Sequence, residues 1–372
     1  MISLLMNAAE LAFFVLVALI AFLIWRSLLH YVLGPLDLRK YPAPSFLAAT
    51  TEFWILKETW LQRRSRSIHH QHERLGDVIR IAPSLIIFNI PEAVPDIYGH
   101  AAARKFVKDT VYDKIAGEER DIVNVIDHGD HSQRRKYLSN SFSLKTVTDM
   151  EPVIRQNLQR LLNHLDDVAA QNTNIPFSQT LDIRRWFNYF TLDVIGDMAF
   201  GLPLGFLAGP GHDGIVSYHS AKDLPYLRAC IDESLRLRPP IAYALQRLVV
   251  SPEGAIIAGH HIKQGTTVAV SPWTIHRNRK LYKNPDEFDP ERWFDPEQLS
   301  NLRRHYIVFS QGPRQCLGRH IAIVELQILI STLVRRYSMY LADQEMGFVI
   351  FDRFNSNPGP LPVKVERRVF VD

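Results

Sequence analysis

Apolar residues run without a break from Leu11 to Trp25 and continue past Arg26 through Leu28, Leu29, Tyr31, Val32 and Leu33. Counted to Leu33, the run is long enough to cross a hydrocarbon core, with Arg26 snorkelling toward the interface. Further along, shorter patterns take over. Asp77–Pro83 and Leu85–Phe88 are β-rich runs split by Pro83-Ser84, which predicts a hairpin. Pro91–Tyr98 predicts a short helix opening at a proline. From about His131 to Gln171 the pattern is helical, with Leu158, Leu161, Leu162 and Leu165 at helical spacing. Asp182–Phe200 predicts a second amphipathic helix, rich in aromatics. Gly201–His219 reads as loop, with Gly-Pro-Gly at 209–211. Leu224–Leu237 predicts a helix halted by Pro239-Pro240. Residues 241–270 alternate as short strands, with Gly259 and Gly265 in turns. Residues 280–315 read as irregular, and 317–336 as a helix apolar almost all round and therefore buried. No internal repeat or low-complexity segment interrupts this order.

For the N-terminal run, a cleaved signal peptide is the rival to an uncleaved anchor. No basic stretch precedes it, however, and no clear small-x-small cleavage site follows it. Glu10 lies before the run, while Arg26, His30, Arg39 and Lys40 follow, which by the positive-inside rule places the rest of the chain in the cytosol. The prolines of Pro35–Pro44 stop any helix and set the angle between anchor and domain. The expected organisation is an anchor with its flanks over 1–34, a proline-rich hinge over 35–45 and one domain over 46–372.

Composition narrows the class. At 372 residues with 47% hydrophobic and 22% charged residues, the chain is a packed globular protein rather than a disordered one. The net charge of +4 is spread along the chain, which suits a basic docking face or an anionic membrane surface. No aromatic-interleaved basic cluster accompanies it, so a nucleic-acid partner is not expected. Two distant cysteines, Cys230 and Cys316, make no disulfide framework and point to a reducing setting.

Chemistry enters at Phe309-Ser-Gln-Gly312-Pro-Arg314-Gln-Cys316-Leu-Gly318. Taken alone, the segment could be a core cysteine in a glycine-containing turn, since free cysteine is usually buried and inert. The pattern resembles F-x-x-G-x-R-x-C-x-G, the heme-ligand loop of the cytochrome P-450 family. Five fixed identities arise by chance roughly once in a few million starting positions. The resemblance implies that Cys316 is the thiolate ligand of a heme b. Glycines at 312 and 318 would let backbone N–H groups approach the sulfur, and a helix from Leu317 onward would turn its positive end toward it. Arg314 would neutralise a heme propionate.

Glu233-Ser-Leu-Arg236 resembles the family's E-x-x-R. By itself it is an ordinary i, i+3 helix pair. Phe288-Asp-Pro-Glu-Arg292-Trp293 resembles the segment whose arginine completes a buried Glu–Arg–Arg cluster, a structural lock rather than catalytic machinery. His131-Ser-Gln-Arg134-Arg135 resembles W/H-x-x-x-R, with His131 and Arg135 as propionate donors; the plainer reading is a solvated basic helix start. Arg247 matches a third propionate-binding position more loosely, and His276-Arg277 reads as structural. The resemblance continues through Trp186–Tyr189 and Gly196–Gly201, so it covers nearly the whole chain. It is nearest to fungal members around the benzoate para-hydroxylases and secondary metabolism.

Between Gly201 and Leu224 the family carries several more helices. One of them crosses the distal heme face with A/G-G-x-D/E-T-T/S, whose acid and alcohol relay protons to bound oxygen. That motif is absent. Ala116-Gly117-Glu118-Glu119 lacks the hydroxyl pair and lies too early, and the jump skips roughly 120 residues of the family's usual length. The resemblance therefore implies a mostly α fold with a small β-region, internally truncated around 202–224. It further implies a monooxygenase fed by an NADPH–cytochrome reductase, acting on a small organic molecule at the endoplasmic reticulum membrane. No catalytic residue is identified. A heme-thiolate isomerase or dehydratase, which needs no acid–alcohol pair, and an inactive heme-binding remnant stay open.

Overall fold

The computed structural model describes residues 2–114, 116–174, 180–207 and 215–368. In chain order, α1 (Ile2–Leu33) is followed by α2 (Phe46–Thr50), α3 (Phe53–Trp60) and α4 (Arg64–Leu75). The hairpin β1 (Val78–Ala82) and β2 (Leu85–Phe88) comes next, then α5 (Ala93–Tyr98), β3 (Phe106–Lys108) and α6 (Val111–Lys114). Three helices follow, α7 (His128–Ser139), α8 (Leu144–Asp149) and α9 (Glu151–Asn174), then β4 (Leu181–Asp182), α10 (Ile183–Phe200), α11 (Tyr218–Ala221) and α12 (Pro225–Leu237). Short strands β5 (Arg247–Val249), β6 (Ala255–Ile257), β7 (His260–Ile262) and β8 (Thr267–Val270) lead to α13 (Pro272–Ile275), α14 (Pro296–His305) and α15 (Arg319–Arg336). Strands β9 (Tyr337–Leu341), β10 (Ile350–Asp352), β11 (Ser356–Pro358) and β12 (Pro362–Arg367) end the described chain.

These elements form two compact units that interleave in sequence, one of residues 1–126 and 243–275, the other of 127–242 and 276–372. In the first, α1 contains the apolar stretch Glu10–Leu33, with a mean hydropathy of 2.4, long and apolar enough to cross a membrane. The rest is built on a sheet of order β1-β2-β8-β5-β3. β1 and β2 pair antiparallel, Val78 with Phe88, and β2 runs parallel to β8. Both strands of the hairpin are buried along their whole length, which is why apolar residues follow one another without alternation, save for the buried Arg80 of β1. α4 places Ile68 against Ile79, Ile81, Ile87 and Ala269.

In the second unit, α9, α10 and α15 pack around one core. Leu158, Leu161, Leu162 and Leu165 of α9 are wholly buried, with Phe190 and Val194 from α10 and Val324, Ile328 and Leu333 from α15. A sheet of order β4-β12-β9 closes one side. The residues flanking 208–214 are tied to this core separately. Asp193, fully buried, accepts hydrogen bonds from the N–H groups of Phe206 (3.0 Å) and Leu207 (2.7 Å). A Cβ on Gly196 would lie 2.6 Å from Leu204 Cγ, so only glycine lets that loop close over α10. On the other side, Val216 N–H donates to Thr332 Oγ1 at 3.1 Å and Tyr218 N–H to Glu151 Oε1 at 3.0 Å. Both ends of the shortened connection are therefore set by side chains of the same core.

Several expectations change. The helical pattern over 131–171 is three helices, because Ser143 leaves the helix and caps α8 through Thr146 N. Pro91 precedes α5 by two residues rather than opening it. Within 201–219 a short helix begins at Tyr218, N-capped by Ser217; Gly209-Pro-Gly211 lies outside the described residues. Residues 280–315 are not all irregular. Asp295 caps α14 from Glu297 N and Gln298 N, with Pro296 in the first turn, a start signal present in the sequence. Finally, α15 begins at Arg319 rather than 317, and its buried face is a stripe including Ile323, Val324, Gln327 and Leu333 while Val334 is exposed. Apolar composition all round did not mean burial all round.

Candidate functional site

The loop between α14 and α15 is shaped by two left-handed residues. Gly312 has φ +65°, which glycine adopts without penalty, and Ser310 has φ +56°, which it adopts only under constraint. The constraint is visible. Ser310 N–H donates to Ile307 O at 3.0 Å, Gln315 N–H to Gly312 O at 3.1 Å and Cys316 N–H to Phe309 O at 2.8 Å. Phe309 thus acts through its carbonyl, folding the loop back so that Cys316 is presented outward. Cys316 is an exposed free thiol. Gly318 has an ordinary φ of −77°, and a Cβ there would meet nothing within 4 Å. Neither backbone strain nor a neighbour within the chain requires glycine at 318. The Ser310 hydroxyl is buried and unpartnered among the described residues.

Cations converge on this loop from α7. Arg135 Nη1 donates to Gln315 O at 2.7 Å, one residue before the cysteine, and Arg314 Nη2 donates to the carbonyl of Asp127, the N-cap of α7, at 3.1 Å. His131 sits one turn before Arg135 on the same helix and is 5% exposed, which is not how a solvated basic helix start behaves. Arg134, between them, pairs instead with Asp130 at 2.6 Å. The structure therefore brings Cys316, Arg314, Arg135 and the first turns of α7 together. Arg247 lies in the other unit, at the start of β5. It is buried there, its guanidinium 5.2 Å from the centre of the Tyr98 ring and donating to Gln246 O at 2.8 Å.

Glu233, Arg236 and Arg292 form one buried network. Arg236 makes a two-pronged contact with Glu233, Nε to Oε2 and Nη2 to Oε1, both at 2.8 Å. Arg292 Nε reaches Oε1 at 3.0 Å, Asp289 N–H reaches the same oxygen at 3.0 Å, and Trp293 Nε1 donates to Oε2 at 3.1 Å. Burial pushes the Glu233 carboxyl up, but the bonds from Arg236 and Asp289 and the charges of Arg236 and Arg292 outweigh it. The net shift is downward, so the charged form is the one the fold holds.

One contact has no counterpart in the sequence reading. His276, wholly buried, accepts a hydrogen bond on Nε2 from Ile307 N–H at 3.0 Å. The His276-Arg277 pair is visible in the sequence, but no local pattern says which amide a ring nitrogen faces 31 residues later. Ala116–Glu119 lie in an irregular stretch, not on a helix.

The fit of a heme to these residues rests on this chemistry. The outward Cys316 thiol on a backbone-braced loop would supply a soft sulfur donor, and Arg135 and Arg314 beside it would neutralise carboxylates. Among the described residues no group of three or more His, Cys, Asp or Glu is placed to hold an ion directly; iron carried within a macrocycle needs none.

Fold and loop together define a helical scaffold around a single presented cysteine. The cytochrome P450 family model matches residues 49–213 and 208–365, and the chain belongs to that family. It is similar to a cytochrome P450 monooxygenase (ORF9) of Penicillium roqueforti, 25% identical over 92% of this chain and 89% of that protein. It is also similar to a benzoate 4-monooxygenase of Aspergillus niger, 24% identical over 94% and 96%, and to an averantin hydroxylase of Dothistroma septosporum, 23% identical over 88% and 85%. The family places the chain among monooxygenases, heme-thiolate enzymes that draw electrons from a redox partner and act on small molecules. The alignments with the first two relatives run over 481 and 505 positions, longer than this 372-residue chain, so each includes positions for which it has no residue. The two family-model matches meet at 208–213. The chain is a P450 shortened internally relative to these relatives.

Proposed function

We propose that Cys316 is the axial thiolate of a heme b, and that the chain is a membrane-anchored monooxygenase acting on a small aromatic or secondary-metabolite substrate with electrons from an NADPH–cytochrome reductase. The observation that carries this reading is the loop. An outward cysteine is braced by its own N–H against Phe309 O, while Arg135 rests on Gln315 O beside it and Arg314 ties the loop to Asp127 O at the start of α7. Arg314, Arg135 and His131 would hold the propionates, and Gly312 sets the turn. When bound, the heme supplies the oxygen chemistry of R–H + O2 + NADPH + H+ giving R–OH + H2O + NADP+. The residues of the chain hold the sulfur in place and neutralise the carboxylates. The internal shortening supports a second reading, a heme-binding form that does not couple electrons to product.

Reduced protein with carbon monoxide should show the red-shifted Soret band of thiolate-ligated heme. Cys316→Ala should abolish it, and a variant that keeps the band refutes the ligand assignment.

We further assign 1–34 to a spanning anchor and its flanks, 35–45 to a hinge and 46–372 to the heme domain, held at the endoplasmic reticulum facing the cytosol. Supporting this are the apolar length of Glu10–Leu33 and the basic residues that follow it. The full chain should sediment with membranes, resist carbonate extraction and leave its domain open to protease added from the cytosolic side. Release by carbonate, or protection from that protease, counts against it.

A further inference from the structure

We propose that His276 is a positioning residue for the cysteine loop: its neutral imidazole accepts the Ile307 N–H and so holds the turn that aims Cys316. The proposal rests on the reading of Cys316 as axial ligand.

His276 is gripped by the structural network on one side. Its carbonyl accepts Arg236 Nη1 at 2.7 Å, and Arg236 is the residue that clasps Glu233 with two bonds. Tyr306 stacks on its ring, centroids 5.5 Å apart and planes 23° from parallel. Trp293, edge-on to Tyr306 at 5.1 Å, donates to the same Glu233. Its backbone and its ring are thus fixed by different members of one cluster.

The other side of His276 faces the ligand loop. Ile307 is held at both its backbone groups: its N–H goes to His276 Nε2 at 3.0 Å, and its carbonyl receives Ser310 N–H at 3.0 Å. Ser310 is the left-handed residue that begins the turn, and Phe309, between them, receives the Cys316 N–H. Releasing Ile307 from the imidazole therefore frees the first support of a turn whose last bond is made by the cysteine itself. The amide is a donor only, so Nε2 must be bare and the proton of the neutral ring sits on Nδ1. Nδ1 has no partner among the described residues, so the bond to Ile307 is the one directional task this ring performs. Burial, reinforced by the charges of Arg236 and Arg277, pushes its pKa down to about 3, which keeps the acceptor bare in neutral solution.

The test uses the full heme-loaded chain, reduced under carbon monoxide. His276→Phe preserves an aromatic ring for Tyr306 but removes the acceptor; His276→Gln returns an acceptor near the position of Nε2. The phenylalanine variant should retain bound heme yet pass from the red-shifted to the unshifted Soret band about fivefold faster on warming, the factor expected for one lost hydrogen bond. The glutamine variant should restore most of the lifetime. An unchanged lifetime in His276→Phe overturns the proposal. Should that variant not fold, His276→Gln decides: a folded protein with the wild-type band supports the acceptor role, and loss of the band or of the fold refutes it. Cys316→Ala, run alongside, separates the two ideas. If it keeps the red-shifted band, the ligand reading fails; if it loses the band while His276→Phe behaves as wild type, only the positioning role fails.

Discussion

Given a reductase and NADPH, the 372-residue chain is expected to convert most of the electrons it consumes into hydrogen peroxide rather than hydroxylated product. Hydroxylation requires bulk water to be kept from the reacting centre and two protons to be delivered to one oxygen atom. The sequence contains no acid–alcohol motif to deliver them, and it is shorter than the relatives it aligns with. A positioned proton donor is worth roughly 10²–10⁴ in rate, and an open face lets peroxide leave. The structure is consistent with lost cover. Leu192, Ile195 and Phe200 of α10 and Leu202 just beyond are all exposed, Phe200 by 78%, although this stretch leads into 208–213, where the two family-model matches meet. The ratio of product to NADPH consumed, across small aromatic acids and polyketide-like substrates, should fall on the order of a hundredfold below that of a full-length relative. Inserting a family-typical distal segment between Gly201 and Leu224 should restore it. Tight coupling in the unmodified chain would mean that other residues relay the protons.

Glu233→Ala should unfold the second unit and release heme together. The substitution leaves Arg236, itself wholly buried, and Arg292 without their carboxylate, and strands the Trp293 and Asp289 donors. Breaking a buried pair by removing one partner costs about 3–5 kcal/mol, a large share of the stability of a typical domain. Unchanged melting and full heme occupancy would show that the network is not formed in solution. Acid should probe the same region. Glu233 is held below its ordinary 4.5, so its contribution is complete above that value and is lost as pH falls through the lower folded one. His276 is shifted from 6.5 to about 3, so unfolded chains take up its proton first and stability declines from about pH 6.5 downward. A melting temperature that falls on acidification below neutrality, with a shallower slope in His276→Phe, is the expected result. Identical slopes would remove His276 from the account.

The sequence alone carried the chemistry that depends on residue identity at fixed spacing. Phe309, Gly312, Arg314, Cys316 and Gly318 lie within ten residues, so their pattern could be read directly, and the anchor is a matter of apolar length. Pairs on one helix, such as Glu233 with Arg236 or His131 with Arg135, follow from the helical repeat. The Pro239-Pro240 stop was sufficient to end α12, and the start signals ahead of α14 were present but outweighed by the irregular composition around them.

What needed the tertiary structure is whatever joins residues distant in sequence. That Arg292 joins Glu233 from 59 positions away was expected only through the motif resemblance, and that Arg135 rests on Gln315 O from 180 away is set by packing, not by pattern. The same holds for His276. A histidine beside an arginine announces a basic surface as readily as a core, and only burial among Arg236, Tyr306 and Ile307 decides that its ring is neutral and which nitrogen accepts. Hydrogen bonds are short-ranged and directional, whereas sequence spacing constrains direction only within one element. Across elements, the direction belongs to the fold.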